Sequence, residues 1–160
     1  MSRSQRPPRT YTTDPVTRAV RVLGLVAIAG VAAWLLLLYP ALPQTVPTHF
    51  GPDGQADAWG DKSSVLLLVP LMVALGALIA WVSTQPRWFN LPVPVTEQNA
   101  QRLYREGERM LVWMLPAIAL LFAGIAMSTV GLAGGPLVWI GVAAMVVAML
   151  IGLVRTFRAA

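Results

Sequence analysis

Four apolar runs divide the chain: Val22–Tyr39, Val65–Val82, Met110–Val130 and Pro136–Val154. None contains Asp, Glu, Lys, Arg or His. Each is about 18 to 21 residues long, which at ~1.5 Å per helical residue spans or nearly spans a ~30 Å hydrocarbon core. They predict four transmembrane helices, at about 20–39, 65–82, 110–130 and 136–154. Residues 1–15 are polar, broken by proline and without apolar periodicity, and are predicted to be a disordered tail. Residues 16–160 are left as one four-span membrane domain with no room for a separate soluble unit.

Helix punctuation sharpens these limits. Asp14 followed by Pro15 reads as an N-cap and first helical position, and Pro40 ends the first helix after about Leu38. Ser63 or Ser64 would cap the second helix. Pro86, Pro92 and Pro94 make the stretch 85–95 extended. Thr96, with Glu97 in the first turn, then opens a helix that runs straight into the third span. Pro70 and Pro116 fall inside spans and predict modest kinks.

Small residues recur at helical spacing: Gly76 and Ala80, Gly124 and Ser128, and Ala144, Ala148 and Gly152. These read as helix–helix contact lines, with a homodimer seam as the alternative. The methionine pairs 110/114 and 145/149 read as packing. Trp34, Trp81, Trp113 and Trp139 lie toward span ends, as interfacial anchors do.

Composition agrees with a membrane protein: the chain is 56% hydrophobic and 12% charged, too few charges to clothe a soluble domain of this size. The basic residues sort by side. Arg3, Arg6, Arg9, Arg18, Arg21, Arg87, Arg102, Arg105, Arg109, Arg155 and Arg158 lie in the tail, the second loop and the C-terminus, leaving Lys62 alone on the other side. The positive-inside bias therefore predicts cytoplasmic termini in the plasma membrane and an outward first loop. The excess of +5 is juxtamembrane charge; no nucleic-acid partner is expected, because the arginines lack interleaved aromatics and a nucleic-acid fold.

With no cysteine, disulfides, thiolate metal sites and thiol catalysis are excluded. The first span is too long for a signal-peptide core and lacks a small-residue cleavage site, so it reads as a retained anchor. The absence of ionisable groups inside the spans argues against a pump or proton-coupled transporter acting alone.

The outward loop, Pro40–Ser64, holds most of the informative polar residues. Val46–Phe50 has strand-like residues, Gly51-Pro52-Asp53-Gly54 is a turn, and Gln55–Trp59 would return as a second strand. Phe50 and Trp59 would form the apolar underside of that hairpin. His49 is the single histidine. With Asp53, Asp57 and Asp61 it falls short of zinc or calcium ligand spacing, and no nucleophile–base pattern accompanies it. No catalytic residue, metal or other cofactor is therefore assigned. His49 reads as a hairpin hydrogen-bonding residue or as part of a recognition surface.

On the other side, Arg102, Arg105 and Arg109 fall on one helical stripe. It suits membrane lipid phosphates or a cytoplasmic partner. Glu106 and Glu108 are expected to neutralise part of it through local pairs.

The run Leu42-Pro43-x-x-Val46-Pro47-Thr48-His49-Phe50-Gly51-x-x-Gly54-x-x-Asp57-x-Trp59-x-x-Lys62 resembles the signature of a bacterial membrane domain family of unknown function. That domain also forms the N-terminal part of SdpI-type toxin-immunity proteins. The resemblance covers about residues 20 to 155 and includes the placement of the motif between two spans. It implies a four-helix membrane domain and no enzyme activity. In the larger immunity proteins it accompanies protection from a secreted peptide toxin and retention of a small repressor at the membrane. Those proteins carry further C-terminal spans, which are not expected here.

The expectation is thus an all-α transmembrane protein of four helices with an ordered extracytoplasmic loop, in part a small β-hairpin. Pro47, Thr48, His49, Phe50, Gly54, Asp57, Trp59 and Lys62 are the candidate ligand- or partner-binding residues. Arg102, Arg105 and Arg109 form a second, lipid- or partner-facing set. The expected partners are membrane lipids and a membrane protein or peptide, with self-association as an alternative. The accompanying function is non-enzymatic binding or sensing, or else an accessory subunit.

Overall fold

The computed structural model describes residues 6–160. Four helices carry the fold: α1 (Pro15–Leu38), α2 (Ser64–Val82), α3 (Ala100–Thr129) and α4 (Gly135–Arg158). Between α1 and α2 lies an antiparallel hairpin of β1 (Thr45–Phe50) and β2 (Ala56–Asp61). Short 3-10 turns at Tyr39–Ala41 and Pro86–Trp88 bend the chain at the ends of α1 and α2. All four helices are long and apolar enough to cross a membrane. The protein is therefore a multi-pass membrane protein, mostly helical.

The helix starts follow local chemistry. Asp14 caps α1 as expected: Oδ1 accepts from the Thr17 backbone N–H at 2.9 Å and Oδ2 from the Thr17 hydroxyl at 2.7 Å, while Pro15 fills the first position without a wasted N–H. Ser63 occupies the N-cap of α2 but makes no side-chain cap bond; instead Asp61 accepts from the Ser63 N–H at 2.8 Å. The third helix begins later than expected. Thr96 and Asn99 bond reciprocally, side chain to backbone, at 2.8 and 3.3 Å, and regular helix starts at Ala100. That closed turn satisfies the backbone groups a Thr96 cap would otherwise have served.

Helix α3 is the centre of the bundle. Helices α1 and α4 pack along it, and α2 packs on α1 and more lightly on α3. Val112, Leu115 and Ala126 of α3 are fully buried, as are Leu35 of α1 and Met72 of α2. Pro70 and Pro116 sit inside continuous helices. Helix α4 packs mainly on α3: 11% of its apolar stretch is buried, against 44% for α3. Its outward side chains, such as Val147, Leu150 and Phe157, are exposed, which in a bilayer means facing lipid.

The small residues mark the helix crossings. Gly76 lies against Ile28 of α1, Gly124 against Val138, and Gly152 against Met110. In the stripe of Ala144, Ala148 and Gly152, Gly152 meets α3, while the two alanines line an open groove between α3 and α4. Because only five residues join α3 to α4, the helices run antiparallel and residues equidistant from the turn meet.

Where the sequence predicts a disordered tail, residues 6–14 form a strap packed across the terminal end of the bundle. Residues 1–5 lie outside the described residues. Arg6 donates to the carbonyls of Arg87 and Phe89 at 3.1 and 2.6 Å. Gln101 donates to Pro8 O at 2.8 Å and accepts from the Thr10 N–H at 2.9 Å, and the Tyr104 hydroxyl donates to Pro7 O at 3.1 Å. The prolines that break periodicity hold the strap extended, leaving its carbonyls free for these donors.

Candidate functional site

The hairpin is built from its turn and its anchor. Gly54 supplies the positive φ of 78° that the turn needs. Its N–H bonds Gly51 O at 2.9 Å, and Asp53 Oδ1 accepts from the Gln55 N–H at 3.0 Å. A Cβ built on Gly54 would stand 3.8 Å from Gly135 Cα, so the tip rests on the start of α4. The anchor is Val46, fully buried with Leu42 and Val65 in the main core.

That arrangement corrects the expected underside. Phe50 is half-buried, but Trp59 is 61% exposed. Trp59 pairs with Pro47 across the ladder, one position from the Val46–Gly60 pair, and strand side chains alternate faces. Burying Val46 therefore turns Trp59 away. Register shifts between Pro47 and Phe50 change which residues meet beyond that point, and Thr48 packs over Gly60.

The same geometry brings His49 and Asp57 together. His49 Nδ1 lies 2.5 Å from Asp57 Oδ1, with the two side chains 69% and 53% exposed. The pair stands in water and offers two ligands, and among the described residues no group of three His, Asp or Glu could hold a metal ion. Lys62 turns back toward α1: Nζ lies 5.2 Å from the centre of the Tyr39 ring and donates to Leu42 O at 3.5 Å. It ties the base of the hairpin to the end of α1. The carboxyl of Asp61 is held below its ordinary pKa of 3.8, first by the Ser63 N–H.

The candidate residues therefore divide. Gly54 and Lys62 shape and fasten the hairpin, with Pro47 paired in its ladder and Thr48 at the register shift. His49, Asp57 and Trp59 project from it.

At the opposite end, the Arg102/Arg105/Arg109 stripe is joined by Arg155 and Arg158 of α4 around one depression. Arg109 donates to Glu106 at 2.9 Å and to Asp14 at 3.5 Å, and Arg105 lies over the Tyr11 ring at 5.0 Å. Glu106 is thus the local partner expected from the sequence; Glu108 is not. Its side chain is 1% exposed and points into the bundle. The Tyr11 hydroxyl donates to Oε2 at 2.7 Å, the Thr13 hydroxyl to Oε1 at 2.7 Å, Arg21 pairs with Oε1, and Arg9 lies 3.5 Å from Oε2. Burial first, and then the hydrogen bond to and charge of Glu108, push the Tyr11 hydroxyl pKa well above 10.0.

Sequence reasoning missed this hub, although one signal pointed to it. Tyr104, Glu108, Val112 and Leu115 share a face of α3 and all are buried. A carboxylate in register with an apolar stripe goes inside, where it requires partners.

Residues 25–74 match the family model described as "Domain of unknown function (DUF1648)", a range with the hairpin near its middle. An uncharacterized protein of Archaeoglobus fulgidus is 36% identical over 84 residues, covering 47% of this chain and 45% of that protein. The chain thus spans less than half the length of this relative. No solved structure matches the chain.

Proposed function

We propose that this is a non-enzymatic membrane protein that recognises a partner through the hairpin end, with His49, Asp57 and Trp59 as the contact residues. One observation carries the reading. The burial of Val46 turns Trp59 outward, where its ring is 61% exposed and outside the core, so nothing in the bundle's packing calls for a tryptophan there. An exposed tryptophan beside a His–Asp pair offers apolar area and hydrogen bonds together, as recognition surfaces do. The basic residues at the terminal end favour cytoplasmic termini, which would put the hairpin outside the cell. A peptide or the exposed part of another membrane protein suits such a surface. The resemblance to SdpI-type proteins favours an immunity-like form of this reading.

The test is native co-purification from the protein's own membranes, followed by mass spectrometry, for the wild type and for His49→Ala and Trp59→Ala. A partner captured by the wild type and lost from both variants at equal expression supports the proposal. Identical partner sets for all three would remove it. Orientation is tested separately: Asp53→Cys or Thr12→Cys introduces one thiol into a chain that has none. An impermeant maleimide on whole cells should label position 53 and not position 12.

A second reading, an accessory subunit of a larger membrane complex, is favoured by α4, whose apolar stretch is only 11% buried. It predicts that enlarging exposed α4 residues such as Val147→Trp abolishes co-purification while the hairpin variants retain it.

A further inference from the structure

We propose that the seam between α3 and α4 at the terminal end binds one anionic phospholipid. Its phosphate would sit among Arg109, Arg155 and Arg158, and one acyl chain would lie along the seam. A groove of about 530 Å³ opens there. It falls between two close approaches of the helices, Gly141 on Leu121 and Gly152 on Met110. Between them the facing residues include Ala117, Ala144 and Ala148, which lack the bulk to fill the gap that neighbouring leucines would close. Among the described residues, the whole lining comes from α3 and α4, so no other helix covers the groove. In a bilayer its open side faces lipid.

Length and charge choose the occupant. The groove runs from Arg109 to Leu120, a rise of about 16 Å at ~1.5 Å per residue, close to half of a ~30 Å hydrocarbon core. That is the depth of one leaflet. Trp113, 49% exposed and one turn beyond Arg109, stands where a ring at the glycerol level would. The mouth, at Glu106, Arg109 and Arg155, continues into a second depression of about 440 Å³ that adds Arg102, Arg105 and Arg158. The lining there holds five guanidinium groups and one carboxylate, Glu106, whose Oε1 already accepts from Arg109.

A phosphate matches the guanidinium fork. A headgroup that also carries an ammonium ion would meet the surplus positive charge. A second copy of this chain, docked by the same face, would bring another five arginines to the mouth. Arg109 and Arg105 are partly ordered beforehand, by Asp14 and by the Tyr11 ring, which lowers the entropy lost on binding.

The experiment is native mass spectrometry of the full-length protein in a neutral detergent. The ligands are phosphatidylglycerol, phosphatidylcholine with the same chains, short-chain dihexanoyl phosphatidylglycerol, and inorganic phosphate. One long-chain phosphatidylglycerol should bind per protein, in preference to phosphatidylcholine. The double variant Arg155→Gln/Arg158→Gln should weaken it by about thirtyfold, the effect of two basic groups near an anionic headgroup. Ala148→Phe, which fills the groove, and the short-chain lipid should each weaken binding with the arginines intact. The lipid series leaves the protein unchanged, so it stands even if Ala148→Phe misfolds. Equal retention of the two long-chain lipids, displacement by inorganic phosphate, or indifference to chain length would each overturn the proposal.

Discussion

Tyr11 donates its hydroxyl to Glu108 Oε2 at 2.7 Å across 97 positions of sequence. The bond fastens the segment before α1 to the N-terminal third of α3. Arg21 of α1 pairs with the other carboxylate oxygen, which Thr13 also reaches. One buried carboxylate thus joins the strap, the first helix and the third.

Removing that carboxylate should be costly. Glu108→Ala leaves Arg21 without its charge partner at the edge of the bundle and frees the strap; breaking a buried pair from one side costs about 3 kcal/mol or more. Tyr11→Phe, which deletes one bond to a charged acceptor, should cost about 1–2 kcal/mol. Denaturant titration of the purified protein in detergent checks both values. Equal stability of the wild type and Glu108→Ala would mean that the hub contributes nothing.

The strap should be held within a window of pH. Burial and Glu108 raise the Tyr11 pKa above 10.0, so the folded state favours the neutral phenol. That stabilisation is complete below the ordinary value and is lost as pH rises through the folded one. Asp14 behaves oppositely. Its hydrogen bonds from Thr17, then Arg109, lower its pKa from 3.8; its contribution is present above that value and is lost as pH falls through the folded one. A spin label at Thr12→Cys should become mobile at both extremes. Tyr11→Phe should abolish the alkaline transition and Asp14→Asn should weaken the acid one.

Hairpin docking should depend on Val46 and not on Trp59. Val46→Ala deletes two fully buried methyl groups and should cost about 1–2 kcal/mol. Trp59→Ala removes an exposed ring and should fall within about 0.5 kcal/mol of the wild type. Thermal melts of the two variants decide it; the reverse order would mean that the underside is misassigned.

The α3–α4 seam should tolerate added volume unequally. A Cβ on Gly141 would lie 2.6 Å from the backbone N of Leu121, whereas one on Gly152 meets the side chain of Met110. Backbone cannot step aside as a methionine can. Gly141→Ala should therefore destabilise by about 1–3 kcal/mol and Gly152→Ala by less. Gly30→Ala, with nothing within 4 Å of the new methyl, is the control and should be neutral or stabilising. Chemical denaturation of the three variants provides the ranking.

Much of this could be read along the chain. The four spans, the start of α1 at Asp14-Pro15 and the turn at Gly54 each depend on a few adjacent residues. The glycines of the small-residue stripes, Gly76, Gly124 and Gly152, also marked helix crossings, whereas Ala144 and Ala148 line a groove. The face of the hairpin was less accessible. Phe50 and Trp59 are its large apolar side chains, yet Val46 is the one buried, because strand alternation allows a single face inward and Val46 lies directly above the core. At the candidate site, sequence supplied His49, Asp57 and Trp59 but not the fact that the first two touch. The arginine stripe of α3 was visible, whereas Arg155 and Arg158 joined it only through the antiparallel return of α4.

Sequence by itself determined which segments enter the membrane, where α1 begins and the chemistry available at each end. Those properties follow from local composition, because lipid solubility and capping act over a few turns of chain. Tertiary structure decided which polar groups meet. Glu108 chose Tyr11, Thr13 and Arg21 over its helical neighbours because its place on the buried face of α3 removed it from water. The strap was the nearest source of donors able to replace that water.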